Sequence, residues 1–202
     1  MRKISCTIWR MAEPDGVREI TSSGVLRALS HPTRRRLLDA LTVDGPSTVS
    51  GLAERLQQAV GNVSHHLKVM HDAGLIIEAP ERARDQRERW WQRAATGFRW
   101  VDTSFADSEA SAAIADAAAL LNLEHQLDKV RAWMSDAETA DPAWRTAAFA
   151  TDFWLQLTSD ELAELSRDVF DLLERWRART HDGADEARAP VFVFARGMPS
   201  SP

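Results

Sequence analysis

The chain has 202 residues, 44% hydrophobic and 27% charged, the balance of a globular protein with room for one large domain or two small ones. No apolar run reaches the ~18–20 residues of a membrane span, no apolar stretch follows the charges of residues 1–6 as a secretory signal would need, and the lone Cys6 excludes an internal disulfide or a multi-cysteine metal centre; the expected location is the cytoplasm. The net charge of −5 hides an asymmetry: residues 1–100 hold 16 Lys and Arg against 11 Asp and Glu, and residues 101–202 hold 9 against 19. The basic half suits a polyanion such as nucleic acid, although two solvated surfaces would give the same count.

In chain order, Ile4, Cys6 and Ile8 alternate like a short strand, and Glu13-Pro14-Asp15-Gly16 reads as a turn. Val25, Leu26, Ala28 and Leu29 predict a short helix that Pro32 interrupts. Pro32 suits the first position of a second helix, where its missing N–H costs nothing, with Leu37, Leu38 and Leu41 facing inward. Asp44-Gly45-Pro46 closes that helix. Ser47 or Thr48 caps a third, with Val49, Leu52, Ala53 and Leu56 as its apolar face. After a short connection around Ala59-Val60-Gly61, a fourth helix runs from about Asn62 to Ala73, its inner face Val63, Leu67 and Met70, and Gly74 ends it. Leu75-Ile76-Ile77 and residues 89–93 read as the strands of a hairpin whose tip, residues 81–88, is charged.

The acidic half opens near residue 105. Leu120, Leu123, Leu127, Val130 and Met134 recur at spacings of 3 and 4, a helical seam suited to a dimer interface. Residues 149–157 alternate as a strand would, with a helix left open by Trp154. Thr158-Ser159-Asp160-Glu161 is a capping box opening a helix through Leu162, Leu165, Val169, Leu172 and Trp176. Residues 190–195 then read as a final strand. Trp133, Trp144, Trp154 and Trp176 are expected chiefly in the core, with an aromatic ligand pocket as the alternative.

Helix, helix, short connection, helix and hairpin is an order that leaves the last helix open on one side, as reading base edges in a major groove requires. That side offers Asn62, Ser64, His65, His66 and Lys68. The hairpin supplies Arg82, Arg84, Arg87 and Arg89, at and beside its tip, for a phosphate track or minor groove. Arg34 and Thr48 complete the candidate DNA contacts, Arg34 being as readily a structural pairing. Adjacent His65 and His66 point about 100° apart on a helix, which disfavours a shared metal. His125 lies three residues before Asp128, with Asp116 upstream, and reads as a surface pairing before a metal site.

Ala28-Leu29-Ser30-His31-Pro32-Thr33-Arg34, then Leu52-Ala53-Glu54-Arg55-Leu56, then the run from Val63 to Leu75 containing Ser64-His65-His66-Leu67-Lys68 and Ala73-Gly74-Leu75, resemble the winged helix-turn-helix of the ArsR (arsenical-resistance repressor) family over residues 24–95. The resemblance implies DNA binding, dimerisation and an effector that alters operator affinity. It places Ser64, His65, His66 and Lys68 on the recognition helix and residues 82–89 on the wing. It also implies that a metal-sensing member would carry a cysteine pair on the third helix. Residues 49–56 have no cysteine, which argues against sensing of that type.

The expected fold is mainly α (α+β). An N-terminal segment, 1–23, precedes a winged helix-turn-helix domain, 24–100, and a C-terminal helical region, 101–202, with a small strand-helix-strand unit for dimerisation or effector binding. The expected function is a homodimeric, sequence-specific transcriptional regulator, a repressor on a palindromic operator, open to a small-molecule effector. A winged-helix protein-interaction module without DNA binding is the alternative. No enzyme activity, cofactor, metal or membrane partner is expected.

Overall fold

The computed structural model describes residues 16–85, 88–99, 105, 108–179 and 188–201. The expected strand through Ile4, Cys6 and Ile8, and wing residue Arg87, lie outside them. The protein is mainly helical with small sheets, and the chain divides into two units after His125.

In the first unit, β1 (Val17–Glu19) leads to α1 (Ser23–Leu29), α2 (Pro32–Val43), β2 (Ser47–Thr48), α3 (Val49–Leu56) and α4 (Val60–Asp72), then β3 (Ile76–Glu78), a single 3-10 turn (Pro80–Arg82), β4 (Trp90–Arg93) and β5 (Gly97–Arg99). Leu26, Leu37, Leu52, Val63, Leu67, Met70, Leu75 and Ile76 are fully buried in one core. The helical positions among them are those that periodicity assigned inward, and Leu75 and Ile76 belong to the stretch read as a strand, each buried aliphatic side chain contributing roughly 1.5–3 kcal/mol by leaving water.

The punctuation is local. Pro32 opens α2, and the His31 ring caps it by accepting a hydrogen bond from the Thr33 N–H at 3.2 Å. Thr48 caps α3 through its hydroxyl, which accepts from the Gly51 N–H at 3.1 Å. Gln57 adopts a left-handed conformation (φ 54°) that ends α3, and α4 begins at Val60, two residues earlier than expected. Gly74, at φ +68°, ends α4 and turns the chain into β3.

The wing is an antiparallel sheet ordered β2-β4-β3, with Trp91 opposite both Ser47 and Glu78. A pairing that the alternation pattern did not announce joins β1 to β5 in parallel. It is short, and its strands are nearly eighty residues apart in sequence, so neither carries a local signal.

Helix α5 (Glu109–Asp136) runs through the division between the units. The second unit adds α6 (Pro142–Ala147) and α7 (Ser159–Arg177). The capping box is present. Thr158 Oγ1 accepts from the Glu161 N–H at 3.3 Å, and Glu161 Oε2 accepts from the Thr158 N–H at 2.7 Å.

Two expectations for this unit need correction. The strand-helix-strand reading survives only as its helix: residues 149–157 and 190–195 enter no sheet of the described residues. Alternation becomes a strand only when a neighbour completes the ladder, and none of the described strands pairs with them. Trp133, Trp144, Trp154 and Trp176 are exposed rather than core, as are Phe149 and Phe153, the latter 80% exposed. Among the described residues no helix is long and apolar enough to cross a membrane.

Candidate nucleic-acid interface

The three residues after α3, Gln57-Gln58-Ala59, make the whole turn into α4. Gln57 and Gln58 return their backbone N–H groups to α3 carbonyls, so the turn is tied down at its start. Helix α4 then buries Val63, His66, Leu67 and Met70, a spacing of 3, 1 and 3 that selects one face. Asn62, Ser64, His65 and Lys68 lie on the exposed remainder, with Gly61.

The N-terminus of α4 has no side-chain cap. Its first backbone N–H groups are therefore left for an external acceptor, which is the chemistry of phosphate binding at helix starts. A Cβ at Gly61 would meet nothing within 4 Å, so the end is open. Asn62 is oriented by its amide donating to Gln58 Oε1 at 2.7 Å. Lys68 pairs with Asp72 at 2.8 Å, both well exposed. An ion pair of that kind is weak and readily exchanged for a phosphate. Gln58, Gly61 and the uncapped amides were not singled out in the sequence. The signal for them was the absence of Ser, Thr, Asp or Asn at Ala59.

His66 is a correction. It was expected among the base contacts, but it is only 7% exposed and lies on the buried face. Position 66 sits three residues after Val63 and four before Met70, so the helix carries it inward. Its ring packs on His31 with centroids 4.6 Å apart, and meets His65 edge-on at 5.6 Å. Burial foremost, then the nearby His31, Arg34 and His65, hold the His66 pKa below the ordinary histidine value. Burial, then Arg34 and His65, lowers that of His31.

Arg34 donates from Nη2 to the Arg27 carbonyl at 3.0 Å and from Nε to the Ala28 carbonyl. It thereby satisfies the end of α1, where a cation also suits the helix dipole. Thr48 is occupied as the α3 cap.

On the wing, Arg82, Arg84 and Arg89 are exposed. Glu88 Oε2 accepts from the Arg84 N–H at 2.9 Å, and Asp85 Oδ1 from the Glu88 N–H at 3.0 Å, which closes the tip. Arg89 lies 3.7 Å from Glu78 at the wing's base. At the root, Trp91 is buried and meets His71 edge-on at 5.3 Å, tying the wing to the end of α4. Arg93 donates to Thr42 Oγ1 at 2.8 Å.

His125 Nε2 lies 3.2 Å from Asp39 Oδ2, and Asp128 accepts from Arg131 at 2.8 Å. Among the described residues no group of three metal-ligating side chains is assembled.

Residues 29–78 match the family model described as a helix-turn-helix domain. The transcriptional repressor SdpR of Bacillus subtilis is 37% identical over 56 residues, 28% of this chain. The chain spans 61% of that relative's length. Among solved structures, reduced HlyU from Vibrio cholerae shares 20% identity over 53% of this chain and 87% of its own, with a TM-score of 0.33. Lactococcus lactis ZitR, as a C30AH42A mutant in apo form, shares 18% over 73% of this chain and 83% of its own, with a TM-score of 0.33. Likenesses this loose leave the fold to rest on the geometry above. Residues 29–78, from the end of α1 to the end of β3, carry a helix-turn-helix domain.

Proposed function

We propose that the protein is a sequence-specific, DNA-binding transcriptional regulator of ArsR-like type, acting as a homodimer and, like the repressor it resembles, by repression. The observation that carries this reading is the division of α4: Val63, His66, Leu67 and Met70 held in the core, Asn62, Ser64, His65 and Lys68 presented together beside an uncapped helix N-terminus. In this reading α4 enters a major groove, its amide end and Lys68 take phosphates, and Asn62, Ser64 and His65 read base edges. Arg82, Arg84 and Arg89 follow the adjoining backbone, with Arg87 beside them in sequence. Arg34 and Thr48 serve as struts that set the helices rather than as contacts.

The dimer reading draws on α5. Leu120 and Met134 are 65% and 71% exposed, Val130 is exposed, and Leu123 and Leu127 are half-buried, so the seam is free to meet a second copy. Two-fold symmetry in the protein then calls for an inverted repeat in the operator. Selection of bound duplexes from a random pool at about 150 mM salt, where non-specific binding is weakened, tests this. Recovery of an inverted repeat supports the reading, and recovery of nothing above background contradicts it.

A further inference from the structure

Between α1, the start of α2 and α5, the first unit holds a cleft of about 390 Å³, within the usual range of small-molecule sites. Its floor is Ile114, Ala117, Ala118 and Leu121, one face of α5 at spacings of 3, 1 and 3. Its rim is Arg27, His31 and Arg34. We propose that this cleft binds a small organic anion with an apolar body, a carboxylate of medium chain length being the simplest case, and that occupancy changes the affinity of α4 for DNA. This deepens, and rests on, the reading of the protein as a DNA-binding regulator.

Charge complementarity selects the ligand class. No acidic side chain lines the cleft. Neither Arg27 nor Arg34 has a carboxylate partner among the described residues, Arg34 being committed to backbone carbonyls. Because His31 Nδ1 accepts from the Thr33 N–H, the neutral ring carries its proton on Nε2, a donor suited to a carboxylate. The N-terminus of α2 adds its positive dipole end at the same rim. The aliphatic floor, with Leu121 44% exposed, gives the apolar tail its place.

The α5 face that floors the cleft is not the one that bears the dimer seam. At 100° per residue, residues 114, 117, 118 and 121 centre roughly 150° round the helix from residues 120, 123, 127, 130 and 134. A dimer formed through the seam leaves the cleft open.

Coupling runs through one contact. His31 lines the cleft, caps α2 and packs on His66 of α4. A ligand that takes a hydrogen bond from His31 and wedges against α5 competes with the position that holds His66 and, next to it, the exposed His65. Linkage makes the effect reciprocal: whatever factor the ligand imposes on DNA affinity, DNA imposes on ligand affinity.

The test is calorimetric titration of the full chain with octanoate, with octan-1-ol and acetate as the uncharged and tail-less controls, repeated on Arg27→Gln and on Ala117→Trp, whose new side chain fills the floor from an exposed position. The expected result is saturable octanoate binding, about tenfold weaker for either variant and either control, with a fall of about tenfold in DNA affinity at saturation, a typical coupling. Absence of octanoate binding, or binding that Ala117→Trp leaves unchanged, overturns the site. Dissociation of a dimer by Ala117→Trp, read by light scattering, overturns it in favour of a second copy seated there. Octanoate bound as expected with DNA affinity unchanged overturns the coupling. Octanoate bound to a chain with no preference for any DNA sequence overturns instead the reading on which the coupling rests.

Discussion

The rings of His31 and His66 pack with centroids 4.6 Å apart and planes inclined at 44°, joining the cap of α2 to the buried face of α4. Both are held below the ordinary histidine pKa, by burial first and then by neighbouring cations and rings. The unfolded chain therefore takes up protons on these residues at a higher pH than the folded one. Their contribution to stability is full above about pH 6.5 and is lost as pH falls toward the depressed folded values. Thermal unfolding followed from about pH 7.5 to 5.5 is expected to show a falling Tm, with a shallower fall in His66→Gln. An equally steep fall in that variant would remove the pair from the account.

The wing arginines are interleaved with Glu81, Asp85 and Glu88, and the tip is closed by the Arg84–Glu88 and Glu88–Asp85 hydrogen bonds. In the proposed reading these arginines contact phosphates, and the interleaved carboxylates keep that contact modest in strength. Arg84→Ala is expected to weaken specific and random duplexes alike and to reduce the salt slope of binding by about 1. Loss confined to the specific duplex would instead make Arg84 a base-reading residue.

Gly74 combines a left-handed φ of +68° with a close neighbour: Arg18 Nη1 donates to its carbonyl at 2.7 Å, and an added Cβ would come within 2.9 Å of the same atom. Gly74→Ala is expected to cost about 1–3 kcal/mol in denaturant unfolding. Repeating it in an Arg18→Ala background, which removes both the close neighbour and its hydrogen bond to the Gly74 carbonyl, separates the part of the cost that depends on Arg18 from the backbone term. A midpoint unmoved in the single variant would contradict the strain.

The α5 seam gives a prediction about assembly. Leu127→Glu is expected to convert a dimer into monomers by light scattering, since a carboxylate buried without a partner costs several kcal/mol. It is also expected to lower affinity for an inverted repeat far more than for a half-site. A dimer that persists unchanged would place the interface elsewhere.

Residues 24–93 were legible because each rule there is local. Apolar spacing set the inner faces of α2, α3 and α4, Pro32 and the Ser47-Thr48 pair marked two helix starts, with Thr48 the residue that caps, and Gly74 marked an end. His66 was misplaced because polarity was weighed above position. Val63, His66, Leu67 and Met70 form a single stripe, and the partner that accommodates an imidazole there, His31, is thirty-five residues away in sequence. The β1–β5 pairing is long-range for the same reason. In the second unit the capping box of α7 was readable, since all its atoms lie within four residues. The strands expected on either side of it were not found in the described residues, because alternation specifies a face and not the neighbour that must pair with it.

The most direct measurement is the ratio of affinities for the selected duplex and a scrambled one, taken for the native chain and for the Asn62→Ala/Ser64→Ala/His65→Ala variant. These three side chains are exposed, so the variant is expected to keep its Tm while losing about 1–3 kcal/mol of discrimination for each base contact removed. The account predicts a native preference that collapses in the variant, with binding to the scrambled duplex little changed. A preference that survives all three substitutions would show that α4 is not the element that reads the sequence.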